Sequence, residues 1–155
     1  HDALPIYMAL FAFADAITKG KPIQLFNNGN MRRDFTYVDD VVEAMVRLIG
    51  RVPEGDVNWS GAHPDPGSSK APWRIYNIGN SRPEDLMHVV ALLERGFGRQ
   101  AEKQLLPMQP GDVLETSADV SDLERDIGFR PQTRIEDGIA KFVAWYQAYH
   151  NVDRT

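Results

Sequence analysis

The chain has 155 residues, 43% of them hydrophobic and 25% charged, with no cysteine and a formal net charge of −5. That length suits one domain burying about 70% of the surface it exposes when unfolded. Without cysteine there are no disulfides or thiolate metal sites, and without an apolar run near ~18 residues there is no expected membrane span. The acidic balance argues against a nucleic-acid partner, the opening residues do not read as a basic n-region before an apolar h-region, and the expected location is the cytoplasm.

Residues 8–19 (MALFAFADAITK) are apolar on most sides and end at Gly20, which predicts a buried helix closed by a left-handed residue. "PIQLF" (22–26) and "RDFTYV" (33–38) are short β-prone runs separated by "NNGNM", and the pattern predicts a hairpin or tight loop forming a small ribbon. Asp39 and Asp40 then stand as caps at the start of a helix whose apolar positions Val41, Val42, Met45, Leu48 and Ile49 recur at helical spacing up to Gly50.

The 21-residue stretch 52–72 is rich in Pro, Gly and Ser, and loops of that length are either functional or disordered. "WRIYNIG" (73–79) reads as a buried strand. Ser81 with Glu84, Ser121 with Glu124 and Thr133 with Glu136 predict three capping boxes, each opening a helix. The first helix carries Leu86, Val89, Val90, Leu93 and Phe97 on one side, and the last carries Ile135, Ile139, Phe142, Val143 and Tyr146. "KQLLPM" (103–108) reads as an edge strand, because Pro107 removes a ladder donor. Alternating strands and helices give an α/β class. Only one run has the character of a central parallel strand, so the chain reads as part of a larger doubly wound domain.

Arg33 presents a planar fork suited to a phosphate or carboxylate; the alternative is an ion pair with Asp34, Asp39 or Asp40. Asp112, after the turn in "MQPGDV", only accepts hydrogen bonds when ionised, which suits a sugar diol or a turn. Phe26, ending a strand beside the Gly and Asn cluster, suits either stacking on a flat ring or core packing. His1, His63, His88 and His150 lack the i, i+4 spacing of a helical metal site, and no metal is expected. There is no G-x-x-G-x-x-G, no G-x-G-x-x-G after a strand and no Tyr-x-x-x-Lys, so neither a dinucleotide cradle nor an evident proton-transfer pair is present.

Taken together, "GKPIQLFNNGNMRRDFTYVDDVVEAMVRLI", "NWSGAHPDPGSSKAPWRIYNIGNSRPEDLM" and "LPMQPGDVLETSADVSDLERDIGFRPQT" resemble the C-terminal half of the extended short-chain dehydrogenase/reductases, with UDP-glucuronate 4-epimerases as the nearest match. The resemblance runs from Met8 to about Tyr149. It implies the C-terminal, substrate-binding part of an extended Rossmann-type enzyme, with the NAD-binding N-terminal part and its catalytic residues outside this chain. The implied division is residues 1–7 as a foreign lead, 8–150 as the sugar-nucleotide-binding part and 151–155 as a tail.

In that family Arg33 resembles the arginine on the UDP diphosphate, Phe26 the residue packed on uracil with Gln24 beside it, and Asp112 the acid accepting from the ribose. Gln109 stands where many relatives have a second diphosphate-binding arginine; Arg32 is a candidate substitute for it. The implied reaction interconverts UDP-glucuronate and UDP-galacturonate by transient oxidation at C4 with NAD, in a homodimer with no membrane or nucleic-acid partner. Three other readings stay open: another nucleotide-sugar epimerase, dehydratase or decarboxylase; a stand-alone, non-catalytic UDP-sugar-binding module; or a structural α/β fragment with no site.

Overall fold

A computed structural model describes residues 9–152. They fall into two compact units, one containing residues up to Arg33, Pro83–Thr116 and residues from Arg134, the other Asp34–Arg82 and Ser117–Thr133. The expectation of a foreign lead at residues 1–7 lies outside the described residues, as does most of the expected tail.

The first unit begins with α1 (Ala9–Thr18), followed by Gly20 at φ 64° as expected of a helix end. Strand β1 (Ile23–Leu25) buries Ile23 and Leu25 and exposes Gln24 between them, the period-2 alternation of a strand with one covered face. Its partner is β4 (Lys103–Leu105), parallel and in register Ile23↔Lys103, Gln24↔Gln104 and Leu25↔Leu105. Strand β2 (Arg32–Asp34) pairs with β3 (Pro83–Asp85).

The expected ribbon between "PIQLF" and "RDFTYV" does not form. Asn27 and Asn28, at φ 49° and 53°, turn the chain through a 3-10 segment (Phe26–Gly29). The Leu106 N–H then donates to Leu25 O at 2.9 Å, and the Asn28 N–H donates to Leu106 O at 3.0 Å. The turn thus leads β1 to the later strand rather than back on itself.

Helices α3 (Leu86–Phe97) and α5 (Ile135–His150) pack together, and α1 packs on α3 and β1. Val89, Val90, Leu93 and Phe97 of α3 are buried, as are Ile139, Val143 and Tyr146 of α5. Each such side chain stabilises by roughly 1.5–3 kcal/mol. Gly96 permits the close approach: a Cβ there would meet Val143 Cγ2 at 2.8 Å. Phe97 and Tyr146 meet edge to face with centroids 5.6 Å apart.

The second unit is built on α2 (Val38–Ile49) and α4 (Ser121–Ile127). Its core joins Ala44, Val120 and Leu123 with Leu48, Tyr76, Ile78, Ala118, Ile127 and Phe129. "WRIYNIG" is not a ladder strand. No described strand pairs with it, Ile75 is 59% exposed, and the Ile75 N–H donates to the Gly67 carbonyl at 2.9 Å. Only the alternation of Tyr76 and Ile78 toward the core survives from that expectation.

The long loop is ordered by its own bonds. Asp65 accepts from the Ser68 hydroxyl at 2.7 Å and the Gly67 N–H at 2.8 Å, and the Asp56 N–H donates to Ser69 O at 2.8 Å. The Ser68 hydroxyl bond, followed by the Gly67 N–H, holds the Asp65 carboxyl below its usual value.

The three helices predicted by capping boxes exist, but none uses its box. Ser81 sits at φ 54° and donates to Ala118 O at 2.6 Å, and α3 starts at Leu86 after β3. Ser121 is already inside α4, its N–H bonded to Asp119 at 3.0 Å. The Thr133 N–H goes to Asp40. Asp39 and Asp40 lie in the first turn of α2, where their charge complements the helix dipole, and Tyr37 holds the N-cap position. Asp40 Oδ2 also accepts from the Gln132 and Thr133 N–H groups at 3.2 and 2.9 Å. Distant acceptors take the Ser81 hydroxyl and the Thr133 N–H, and the neighbouring Asp119 takes Ser121.

Candidate functional site

Two of the residues singled out in the sequence, Arg33 and Asp112, are in contact. Arg33 Nη2 donates to Asp112 Oδ1 at 2.9 Å, with the side chains only 19% and 14% exposed. The ion-pair alternative for Arg33 named Asp34, Asp39 and Asp40, and the partner is none of these. Asp34 is turned the other way, accepting from the Ser81, Ala118 and Arg82 N–H groups at 3.0, 2.9 and 3.4 Å.

Local structure sets both members of the pair. Strand β2 fixes the Arg33 backbone. Asp112 closes a turn in which its N–H donates to Gln109 O at 3.2 Å. Pro110 supplies the fixed φ of the turn's second residue, and Gly111 at φ 84° supplies the positive φ its third residue requires. The segment after the turn runs beside β2: the Arg32 N–H donates to Leu114 O at 2.8 Å, and the Thr116 N–H donates to Arg32 O at 3.2 Å.

Donor and acceptor counts show what the pair leaves open. Arg33 Nη1 donates to the Arg32 and Leu114 carbonyls at 2.9 and 3.3 Å. A guanidinium has five N–H donors; among the described residues three are engaged, leaving Nε–H and one N–H on Nη2. Asp112 Oδ1 also accepts the Val113 N–H at 2.9 Å, while Oδ2 takes part in none of the described bonds. The arrangement offers two cationic donors beside one anionic acceptor, held on a partly buried face.

The other expected site residues are placed differently. Gln24 is exposed on β1, and Phe26 is half-buried at the first position of the 3-10 segment. Neither is hydrogen-bonded to the Arg33–Asp112 pair. Gln109 contributes its backbone carbonyl to the turn and keeps an exposed side chain.

Arg32 is committed elsewhere, to Glu115 at 2.6 Å, Pro83 O at 2.8 Å and Asp85 at 3.4 Å. Sequence reasoning did not find the Glu115 and Leu114 contacts. They lie 83 and 81 positions from their arginine partners, and no local pattern encodes them.

Among the described residues, Gly96 and Gly98 do not form a glycine-rich turn between a strand and a helix. Gly96 is packed inside α3 and Gly98 closes that helix. Strand β3 runs into α3 at Asp85 and Leu86 without a glycine. Among the described residues no group of three or more His, Asp or Glu could hold a metal ion, and no helix is long and apolar enough to cross a membrane.

Residues 6–79 match the NAD dependent epimerase/dehydratase family. Protein CapI of Staphylococcus aureus is 53% identical over 143 residues, covering 92% of this chain and 43% of that protein. A probable UDP-glucuronate 4-epimerase of Rhizobium meliloti (strain 1021) is 44% identical over 151 residues, covering 96% of this chain and 44% of that protein. The crystal structure of UDP-glucuronic acid 4-epimerase from Bacillus cereus in complex with NAD superposes with a TM-score of 0.69 at 21% identity. That match covers 94% of this chain and 40% of that one, and it shows the α/β fold.

The chain spans less than half the length of the relatives it matches. The chain is similar to part of proteins of the NAD dependent epimerase/dehydratase family, whose model matches residues 6–79.

Proposed function

We propose that residues 8–150 form the nucleotide-holding part of an NAD-dependent UDP-sugar 4-epimerase, with UDP-glucuronate and UDP-galacturonate as its substrate pair and the cytoplasm as its location. The observation that carries this reading is the half-committed Arg33–Asp112 pair. Two N–H donors on one guanidinium match a diphosphate, and a carboxylate oxygen beside them matches a ribose hydroxyl. Gln24 and Phe26, on and just after β1, flank the uracil in this reading. Gln109 hydrogen-bonds the diphosphate without adding charge.

The contribution of this chain is binding and orientation. Its residues carry neither a dinucleotide turn nor a Tyr-x-x-x-Lys pair, so oxidation at C4 and the NAD that accepts the hydride belong to a larger homodimeric enzyme containing this portion. Calorimetric titration of the 155-residue chain with UDP tests the binding share, and a coupled assay with UDP-glucuronate tests the rest. The expected result is UDP binding without turnover. Turnover by the chain alone, or no response to UDP, overturns the reading.

A further inference from the structure

Arg32 is the first arginine of the Arg32–Arg33 pair, and successive residues of a strand direct their side chains to opposite faces. Its guanidinium spans three acceptors: Glu115 Oε2 at 2.6 Å from Nη1, Pro83 O at 2.8 Å from Nη2, and Asp85 Oδ1 at 3.4 Å from Nε. Each of the three nitrogens is therefore within reach of a protein oxygen, with one further N–H on Nη1 and one on Nη2, and the side chain is 50% exposed. Arg32 thus links β3 and the segment after the Gly111 turn through its guanidinium.

That placement has a mechanical consequence. The Arg32 backbone already holds the 114–116 segment through the Leu114 carbonyl and the Thr116 N–H, at 2.8 and 3.2 Å. Its side chain closes a second link by tying Glu115 of the same segment to the Pro83 carbonyl of β3. Asp112 is three residues upstream of Glu115. The Leu114 carbonyl, which takes one Arg33 N–H at 3.3 Å, lies inside the tied segment. Both groups that meet Arg33 from this segment thus depend on a short stretch held from two sides.

We propose that Arg32 is a positioning residue for the nucleotide site: by clamping Glu115 against β3 it holds Asp112 and the Leu114 carbonyl in register with Arg33. The proposal rests on the reading of that face as a UDP site. It separates from a direct phosphate role at Glu115. If Arg32 itself bound phosphate, removing the Glu115 carboxylate would release a cation and tighten UDP. If Arg32 acts through Glu115, the same change weakens UDP.

The experiment is a double-mutant cycle on the 155-residue chain, with UDP affinity measured for wild type, Arg32→Ala, Glu115→Ala and the double variant. Arg33→Ala serves as the control for the site itself. Each single Arg32 or Glu115 variant is expected to weaken UDP about three- to fivefold, the scale of an exposed but networked ion pair, and the double variant to be no weaker than either. Amide exchange gives a ligand-free readout. Arg32→Ala is expected to raise exchange at Thr116 and leave Leu106, on the β1–β4 side, unchanged.

Tighter UDP binding by Glu115→Ala, unaltered binding by Arg32→Ala, or unaltered exchange at Thr116 overturns the positioning role. Absence of UDP binding by wild type overturns the site reading and the positioning role with it. Wild-type binding that is lost only in Arg33→Ala overturns the positioning role alone.

Discussion

Arg33 and Asp112, 79 positions apart in the chain, meet at 2.9 Å, and each keeps part of its hydrogen-bonding capacity unspent. If the two open N–H groups grip a diphosphate, Arg33→Ala weakens UDP about 10- to 100-fold, because charge-assisted hydrogen bonds contribute roughly 1.5–3 kcal/mol. Calorimetry on the purified chain measures this, and a loss below about threefold removes Arg33 from the site.

Asp112 makes a prediction of opposite sign for two ligands. Asp112→Asn weakens UDP about tenfold if the carboxylate accepts from the ribose. Inorganic pyrophosphate has no ribose and is repelled by that same carboxylate, so its binding holds or tightens. Parallel weakening of both ligands indicates that Asp112 acts only by orienting Arg33.

In the second unit Asp34 gathers three backbone N–H groups, from Ser81, Ala118 and Arg82. Asp34→Ala leaves them without this acceptor and is expected to cost roughly 2–4 kcal/mol. Asp34→Asn, which keeps one acceptor oxygen, costs less. Urea unfolding followed by tyrosine and tryptophan fluorescence checks the order; equal stability of the three proteins contradicts it.

Asp126 gives that unit an acid-sensitive contact. Burial pushes its carboxyl pKa up, but the Tyr76 hydroxyl at 2.8 Å and Arg125 Nε at 2.9 Å favour the ionised form and leave the net shift downward from 3.8. A depressed carboxyl contributes stability that is fully present above the unfolded value and is lost as pH falls through the folded one. Thermal midpoints measured from pH 6 down to pH 3 are therefore expected to fall more steeply at the acid end for wild type than for Asp126→Asn. Identical slopes exclude the contribution.

Helix α2 turns Val38, Val42, Met45 and Ile49 outward at helical spacing, Ile49 being 82% exposed. An apolar stripe of this kind favours association in water. Light scattering on the 155-residue chain is expected to show concentration-dependent self-association, reduced in Met45→Glu and Ile49→Lys. A chain that stays monomeric at every accessible concentration contradicts this.

Much of the secondary structure was legible because it rests on local periodicity. The buried positions of α3 and α5 recur at helical spacing, the Gln24 alternation marks β1, and Pro110 with Gly111 specifies a turn whatever surrounds it. The quoted motifs likewise pointed to the family whose model matches residues 6–79. Pairing was not legible. β1 chose β4 rather than the adjacent run, "WRIYNIG" acquired no described neighbour, and the serines of the expected capping boxes found other partners.

The same boundary runs through the site. Arg33 and Asp112 were each recognisable as phosphate- and hydroxyl-binding types of residue, but their mutual ion pair, the Leu114 carbonyl and the Arg32–Glu115 clamp were not. Residue type and local spacing carry short-range preferences written in the chain itself. Contacts across some eighty residues follow from which surfaces bury one another and which backbone groups remain to be satisfied, and only the tertiary structure decides that.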